Sequence, residues 1–342
     1  MATKYINTKY TLLDRAKETT DGKTVLPIIS VMNELVDDFF MDVPFVEANM
    51  GLKHKILRDT GMVKSTKRTF YRGVKSSKRN KQVVYEDVML QERRREIDED
   101  EIDTLANPTT KLRQEDEGHA RKLGEDVVDA FINGDQDDGS ENVNGLLQRL
   151  SALNPTGLNN VQSNGYTAGV GTSVLIVEWN TDKSGGAYGL YPTSGFGKNA
   201  PFGVSIRDKG KEKILDEDDS NASFYGYVSQ LKAWAGLCVE NNRKIARLCN
   251  INPDQGASKS FEDGGTQNLI KLLNNGRFNR NRTRIYVNPT VKTQMEIYGL
   301  DKANVMWSPK EVFGREVTAF QSQIPIRIID DTILTDSQTV VE

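Results

Sequence analysis

The chain has 342 residues, with 45 Lys and Arg against 48 Asp and Glu, a formal net charge of −3, and two cysteines. Such a length can bury a sizeable core and suggests two to three compact units. Cys238 and Cys249, far from any second Cys pair or His, exclude a disulfide framework and a zinc site, and no apolar run approaches the roughly 18 to 20 residues of a membrane-spanning helix. Net charge says little about partners, but its distribution says more. Residues 52–82 carry eleven Lys and Arg against the single acid Asp59, while 86–103 carry nine acids and only Arg93, Arg94 and Arg95. Met1–Tyr10 lacks the charged and apolar regions of a secretion signal, so the sequence predicts folding in a reducing cytoplasm.

Residues 1–22 are polar without sustained periodicity and read as an extended arm. From Val25 the apolar positions Ile28, Met32, Leu35, Val36 and Phe39 recur at helical spacing, and Pro27 fits only a first turn, which puts the helix start near Thr24. Residues 45–96 alternate apolar and basic side chains around a turn-rich centre, Arg72–Lys81, and predict a long two-stranded hairpin. So polar a hairpin is marginal by itself and needs another surface to lie on.

Asn107 and Pro108 form a helix start, Leu112, Ala120, Leu123, Val127 and Phe131 form one apolar stripe, and Asn133–Gly134 supplies the stop. Gly118 and Gly124 inside that helix predict close packing against another backbone. Beyond a Gly-, Asn- and Asp-rich loop (134–144), the run Val174–Trp179 reads as a buried strand that turns at 184–186 into a second, Ala187–Tyr191. A further antiparallel pair is predicted at 224–239 and 244–250. Helices follow at 266–275, ended by Gly276, and from Asn288–Pro289, with the strand 284–287 between them, and strands at 317–320 and 325–329 close the chain.

An enzyme needs chemistry, and the motifs do not assemble any. Gly195, Gly197 and Lys198 resemble a phosphate loop, but Asn199 stands where Ser or Thr is required and no helix signal follows. His54 and His119 lie in different elements without a ligand partner. Glu96, Asp98, Glu99, Asp100, Glu101 and Asp103 lack the Gly and terminal Glu of a calcium loop and read as a partner-facing strip. The basic block contains few aromatics for base stacking (Phe70, Tyr71, Tyr85). Cys238 and Cys249, among Leu237, Val239 and Leu248, read as inert buried thiols. The sequence thus predicts no enzyme, cofactor or metal.

The order arm, short helix, charged hairpin, long helix, mixed lobe and return strand resembles the major capsid proteins of tailed bacteriophages. Thr11–Lys17 (TLLDRAK), Asp21–Lys23 and Asn33–Leu35 look like the opening of the capsid proteins of epsilon-fifteen-like short-tailed phages. Phe131–Asp135 with Asn144–Leu147 resembles the family's helix, Gly-Asp turn and Gly-Leu-Leu. Val174–Trp179, Gly189–Pro192, Trp234–Val239 and Ile245–Ile251 are similar to the group's middle, and Gly314–Arg315 with Ile324–Asp330 to its closing strands.

This resemblance implies an α+β capsid fold of the Hong Kong 97 type (HK97-like). Its parts would be an N-arm with the short helix at 1–44, an E-loop hairpin at 45–96, a P domain at 97–172 and 312–342 with its spine helix at about 108–132, and mainly A domain at 173–311. It implies self-assembly into hexamers and pentamers of an icosahedral head, assembled in the host cytoplasm, with double-stranded DNA on the inner face. It also implies scaffolding, portal and decoration proteins as partners, and no membrane. A cargo-packaging encapsulin shell and a nucleic-acid-binding protein are the alternatives. The family's layout leads to one contact hypothesis. Lys64, Lys67, Arg68, Arg72, Lys75, Lys78, Arg79 and Lys81 of one subunit clamp Glu96, Asp98, Glu99, Asp100, Glu101 and Asp103 of its neighbour.

Overall fold

The computed structural model describes residues 39–61, 65–104, 107–137, 142–153, 158–182, 185–193, 204–215, 223–300, 307–312, 315–320 and 323–338. The predicted arm and all but the last residue of the predicted arm helix lie outside them, as do Gly195–Lys198 of the loop motif. Helix α1 (Phe39–Asp42) leads into β1 (Phe45–Glu47), β2 (Lys53–Gly61) and β3 (Asn80–Asp98). The short helix α2 (Glu99–Asp103), the long helix α3 (Pro108–Asn133) and the one-turn α4 (Leu146–Arg149) follow. The middle of the chain supplies β4 (Val161–Ser163), β5 (Thr172–Glu178), β6 (Ala187–Tyr191), β7 (Val204–Leu215), β8 (Ser223–Val239) and β9 (Ile245–Ile251). After α5 (Thr266–Gly276), β10 (Thr283–Val287) and α6 (Pro289–Leu300), the strands β11 (Trp307–Val312), β12 (Arg315–Phe320) and β13 (Ile324–Ile328) close the fold.

Two sheets organise these strands. The first runs β1-β6-β8-β3-β2, with β7 on the same edge of β8 as β6. The second runs β11-β12-β13-β10-β5-β9-β4, so β11 and β4 are its edges. Every residue of β5 is buried, because both faces of the second sheet are covered. Val174 and Ile176 point to Leu269, Leu272, Val291 and Met295 of α5 and α6. Leu175, Val177 and Trp179 point to the core beneath α3, which also takes Met89, Leu231, Ala233, Ala235 and Leu237 from the first sheet.

Helix α3 starts at Pro108 as the sequence predicts, although Asn107 makes no side-chain cap bond. Its buried stripe begins only at Ala120 and continues through Leu123, Val127 and Phe131, so Leu112, expected in that stripe, is half-buried. The reason is polar: beneath this stretch Asp116 meets Arg95 at 2.9 Å and Ser229 at 2.6 Å. The close packing expected at Gly118 is also absent, for a Cβ there meets nothing within 4 Å. Gly124 is buried. The helix ends where Gly145 N–H donates to Gly134 C=O at 2.8 Å. A Cβ on either glycine would lie under 3 Å from backbone atoms, so the return from α3 to α4 needs both.

Two predicted pairings are corrected. The 174–179 strand does not pair along its length with 187–191: β5 has both edges occupied, by β9 and β10, which leaves no edge for β6, and Trp179, just past β5, makes an isolated bridge to Ala187. The segments 224–239 and 244–250 form strands, but β8 belongs to the first sheet and β9 to the second, and the turn Asn241–Lys244 carries the chain across. Strands β6, β7 and β8 therefore share a sheet with β3, although the expected boundaries group them with 173–311.

Phe131 is fully buried, its ring 6.2 Å from that of Phe39 and 6.5 Å from that of Phe45. Phe131→Ala is expected to cost about 3 to 5 kcal/mol, read as a fall in the urea midpoint. An unchanged midpoint would mean that this aromatic group does not hold α3 to the body.

Candidate functional site

The hairpin is shorter than 45–96. Strands β2 and β3 pair from Lys53↔Asp87 to Gly61↔Asn80, and from Val88 to Asp98 β3 pairs with β8 inside the first sheet. A single strand of 19 residues thus spans roughly 60 Å at about 3.3 Å per residue. The basic loop lies at one end and the acidic helix α2 at the other.

In the loop, Lys67, Arg68, Arg72, Lys75, Lys78 and Arg79 are exposed, as is Lys81 at the start of β3; Lys64 lies outside the described residues. Arg72 N–H donates to Thr69 C=O at 3.3 Å, closing a turn. Its centre holds Phe70 and Tyr71, the latter at φ 64°.

The acidic residues divide into those bonded within the subunit and those that face outward. Glu96 meets Arg94 of its own strand at 2.5 Å. Asp98 caps α2, its Oδ1 accepting from Asp100 N–H at 2.9 Å. Glu99 is paired with Lys211 of β7, a partner the sequence reading missed because β7 was not recognised as a strand. Asp100, Glu101 and Asp103 face outward and exposed. The neighbouring arginines turn to the body: Arg93 meets Asp126 of α3 at 2.5 Å and Arg95 meets Asp116.

The stem of the hairpin is tied to the body by polar contacts. Buried Glu86 accepts from Arg149 of α4 at 2.6 and 2.9 Å and from Arg58 of β2 at 3.1 Å. Arg58 also donates to Val239 C=O. Asp87 accepts from Gln136 at 2.6 Å. His54, directly opposite Glu86, has its Nε2 3.1 Å from the Tyr188 hydroxyl, and burial pushes its imidazolium pKa down against the raising effect of Glu86. Arg58, counted by sequence with the basic block, faces inward. Strand alternation puts it on the face of Ile56 and His54, a signal the sequence did carry.

A second buried cluster joins α1 to the second sheet. Asp42 accepts from Arg284 of β10 at 2.7 Å and from Arg327 of β13 at 2.7 Å. Burial raises the Asp42 carboxyl, but the two guanidiniums overcome it and hold its pKa below the usual range. Stability from this group is present above about pH 4, its unfolded value, and is lost as pH falls through the lower folded value. Asp42→Asn is expected to cost about 3 to 5 kcal/mol at pH 7 by stranding two buried cations. That deficit should shrink below pH 4 in denaturant titrations of both proteins, and a deficit constant from pH 7 to pH 3 would contradict the assignment.

Cys238 and Cys249 are buried, and burial pushes their thiols up to about 12 and about 11. Cys249 Sγ donates to Gln162 C=O at 3.2 Å. Neither thiol should react with iodoacetamide at pH 8 until the chain is unfolded, as mass spectrometry of the two states would show. Fast labelling of the folded protein would expose an activated cysteine instead. Among the described residues, no three His, Cys, Asp or Glu side chains are grouped to hold a metal, and no helix is long and apolar enough to cross a membrane.

The family model of major capsid protein GP7 matches residues 19–341. The chain belongs to that family. The solved structure of bacteriophage Epsilon15 is similar at a TM-score of 0.63 and 20% identity, over 97% of this chain and 98% of that one. The bacteriophage JBD30 capsid is similar at a TM-score of 0.50 and 9% identity, over 87% and 91%. An encapsulin complex from Synechococcus elongatus reaches a TM-score of 0.40 at 11% identity, over 73% and 92%. No curated protein matches in sequence. The capsid protein is a structural subunit of the virion shell and not an enzyme, which agrees with motifs that assemble no chemistry.

Proposed function

We propose that this capsid protein forms hexamers and pentamers of an icosahedral head around packaged double-stranded DNA, held together by the basic loop of each copy on the acidic end of the next. The observation that carries the contact is the length of β3. Its 19 residues separate the loop from α2 by roughly 60 Å of paired strand, so the two charge blocks cannot meet within one subunit. Two ends of opposite sign on one rigid sheet make a head-to-tail contact, which closes into rings when the rotation allows. Each exposed ion pair contributes only about 0 to 1 kcal/mol. That modesty lets misplaced subunits leave, while repetition around the shell supplies the total.

The family's layout then fits the two sheets. α3 with the first sheet corresponds to the P domain and takes β6, β7 and β8 with it, and the second sheet with α5 and α6 corresponds to the A domain and takes β4, β12 and β13, which the sequence assigns to the P domain at 97–172 and 312–342. Host cytoplasmic assembly, and scaffolding, portal and decoration partners, follow from the same relationship.

Lys75→Glu, Lys78→Glu and Lys81→Glu together should block assembly at physiological salt while leaving the thermal midpoint unchanged. Asp100→Lys, Glu101→Lys and Asp103→Lys in the same chain should partly restore it. The clamp fails if the triple Glu variant forms normal shells by electron microscopy. Purified particles filled with protein cargo instead of DNA would favour the encapsulin reading.

A further inference from the structure

The two ends of the first sheet match in more than charge. At the loop end, Phe70 is 89% and Tyr71 107% exposed, the two largest exposures among the apolar side chains described. A soluble subunit has no internal reason to show two adjacent aromatics at a loop apex. Tyr71 also sits in the left-handed backbone region at φ 64°, which is strained for an aromatic residue, although Gly73 stands two residues away and would accept it. Strain and full exposure at one residue go unrewarded inside the subunit.

At the opposite end, β7 and β8 close the sheet with Lys213↔Tyr225 and Leu215↔Ser223 in register. Leu215 and Tyr225 therefore occupy diagonal positions on one face, and both stay exposed, at 62% and 61%. They lie on the face that carries α2. Asp98 pairs with Gly226, one residue along β8 from Tyr225, and Lys211 links β7 to Glu99 of α2. An apolar pair thus borders the acids Asp100, Glu101 and Asp103, as the aromatic pair at the other end is bordered by Arg68, Arg72 and Lys75.

We infer that Phe70 and Tyr71 of one copy seat on Leu215 and Tyr225 of the next copy, as the apolar anchor of the head-to-tail contact. This rests on the capsid reading above and divides its labour. The charged rims steer and orient the approaching copy, while the desolvated aromatic pair holds it, as interface energy concentrates in a few aromatic and Arg side chains.

The full-length chain tests this. Phe70→Ala with Tyr71→Ala should leave the thermal midpoint unchanged, since both rings are exposed, and should raise the concentration needed for assembly at least about tenfold. Leu215→Ala with Tyr225→Ala should do the same. Both effects should persist at about 1 M salt, where the screening length falls to about 3 Å, whereas the effect of the Lys75, Lys78 and Lys81 reversals should fade. Tyr71→Cys with Tyr225→Cys should give, on oxidation of assembled particles, covalent ladders of the chain on a non-reducing gel.

Normal assembly by either alanine pair, or ladders no stronger than with Tyr71→Cys alone, overturns the anchor. If the charge reversals still block assembly in that case, the clamp stands without it. If the wild-type chain never assembles, the capsid reading fails as well. Alanine variants that build normal shells but retain less DNA would assign the aromatics to base stacking, and that too overturns the anchor.

Discussion

The continuity of β3 is the constraint on which the rest of this subunit depends. Its first eight residues are held by β2 and its last eleven by β8, so the projecting hairpin and the body sheet share one backbone. A hairpin joined through a flexible linker could swing back onto its own subunit. One that continues a sheet strand cannot, and its loop stays displayed away from the acidic end. The polar ties at Glu86, Asp87 and His54 sit where β3 passes from one partner strand to the other, and they fix the inclination of the stem.

The body is built to hold that strand still. Helix α3 lies over the first sheet with an apolar stripe from Ala120 to Phe131, flanked by the Asp126 pair with Arg93, and with Asp116 on Arg95 and Ser229 nearer its N-terminus. The Asp42 cluster performs a similar task between sheets, since it joins α1 to two adjacent strands of the second sheet. A carboxylate buried between two guanidiniums is a poor source of net stability but costs much when one partner is removed. Here it ties α1 to β10 and β13 at once, so loss of any one of the three charges leaves the others uncompensated.

Much of the local structure was legible. Asn107–Pro108 and Gly134 bound the long helix, and Asn288 caps α6 by accepting from Val291 N–H at 2.9 Å. Arg277 at φ 49° ends α5 just past the expected Gly276. Strand partners were not legible, because alternation tells which face a residue takes but not which edge is free. Strand β7 escaped notice since its charged residues, from Arg207 to Lys213, show no apolar rhythm over most of its length. The partners of Asp42 stand 242 and 285 residues away, a separation at which no spacing argument operates. The basic and acidic blocks were visible as composition, while their placement at opposite ends of one strand needed the register of β3 on β8.

The open sheet edges carry a last consequence. β11, an outer strand of the second sheet, holds Pro309 opposite Thr318, and a proline has no N–H to offer a further strand. Among the described residues β7 pairs only with β8, and it bears Lys209, Lys211 and Lys213. Such edges discourage backbone zippering between molecules. A protein that crowds against other copies of itself in a shell can therefore meet them through side chains that can let go, and its route to a particle stays separate from the route to fibrous aggregate.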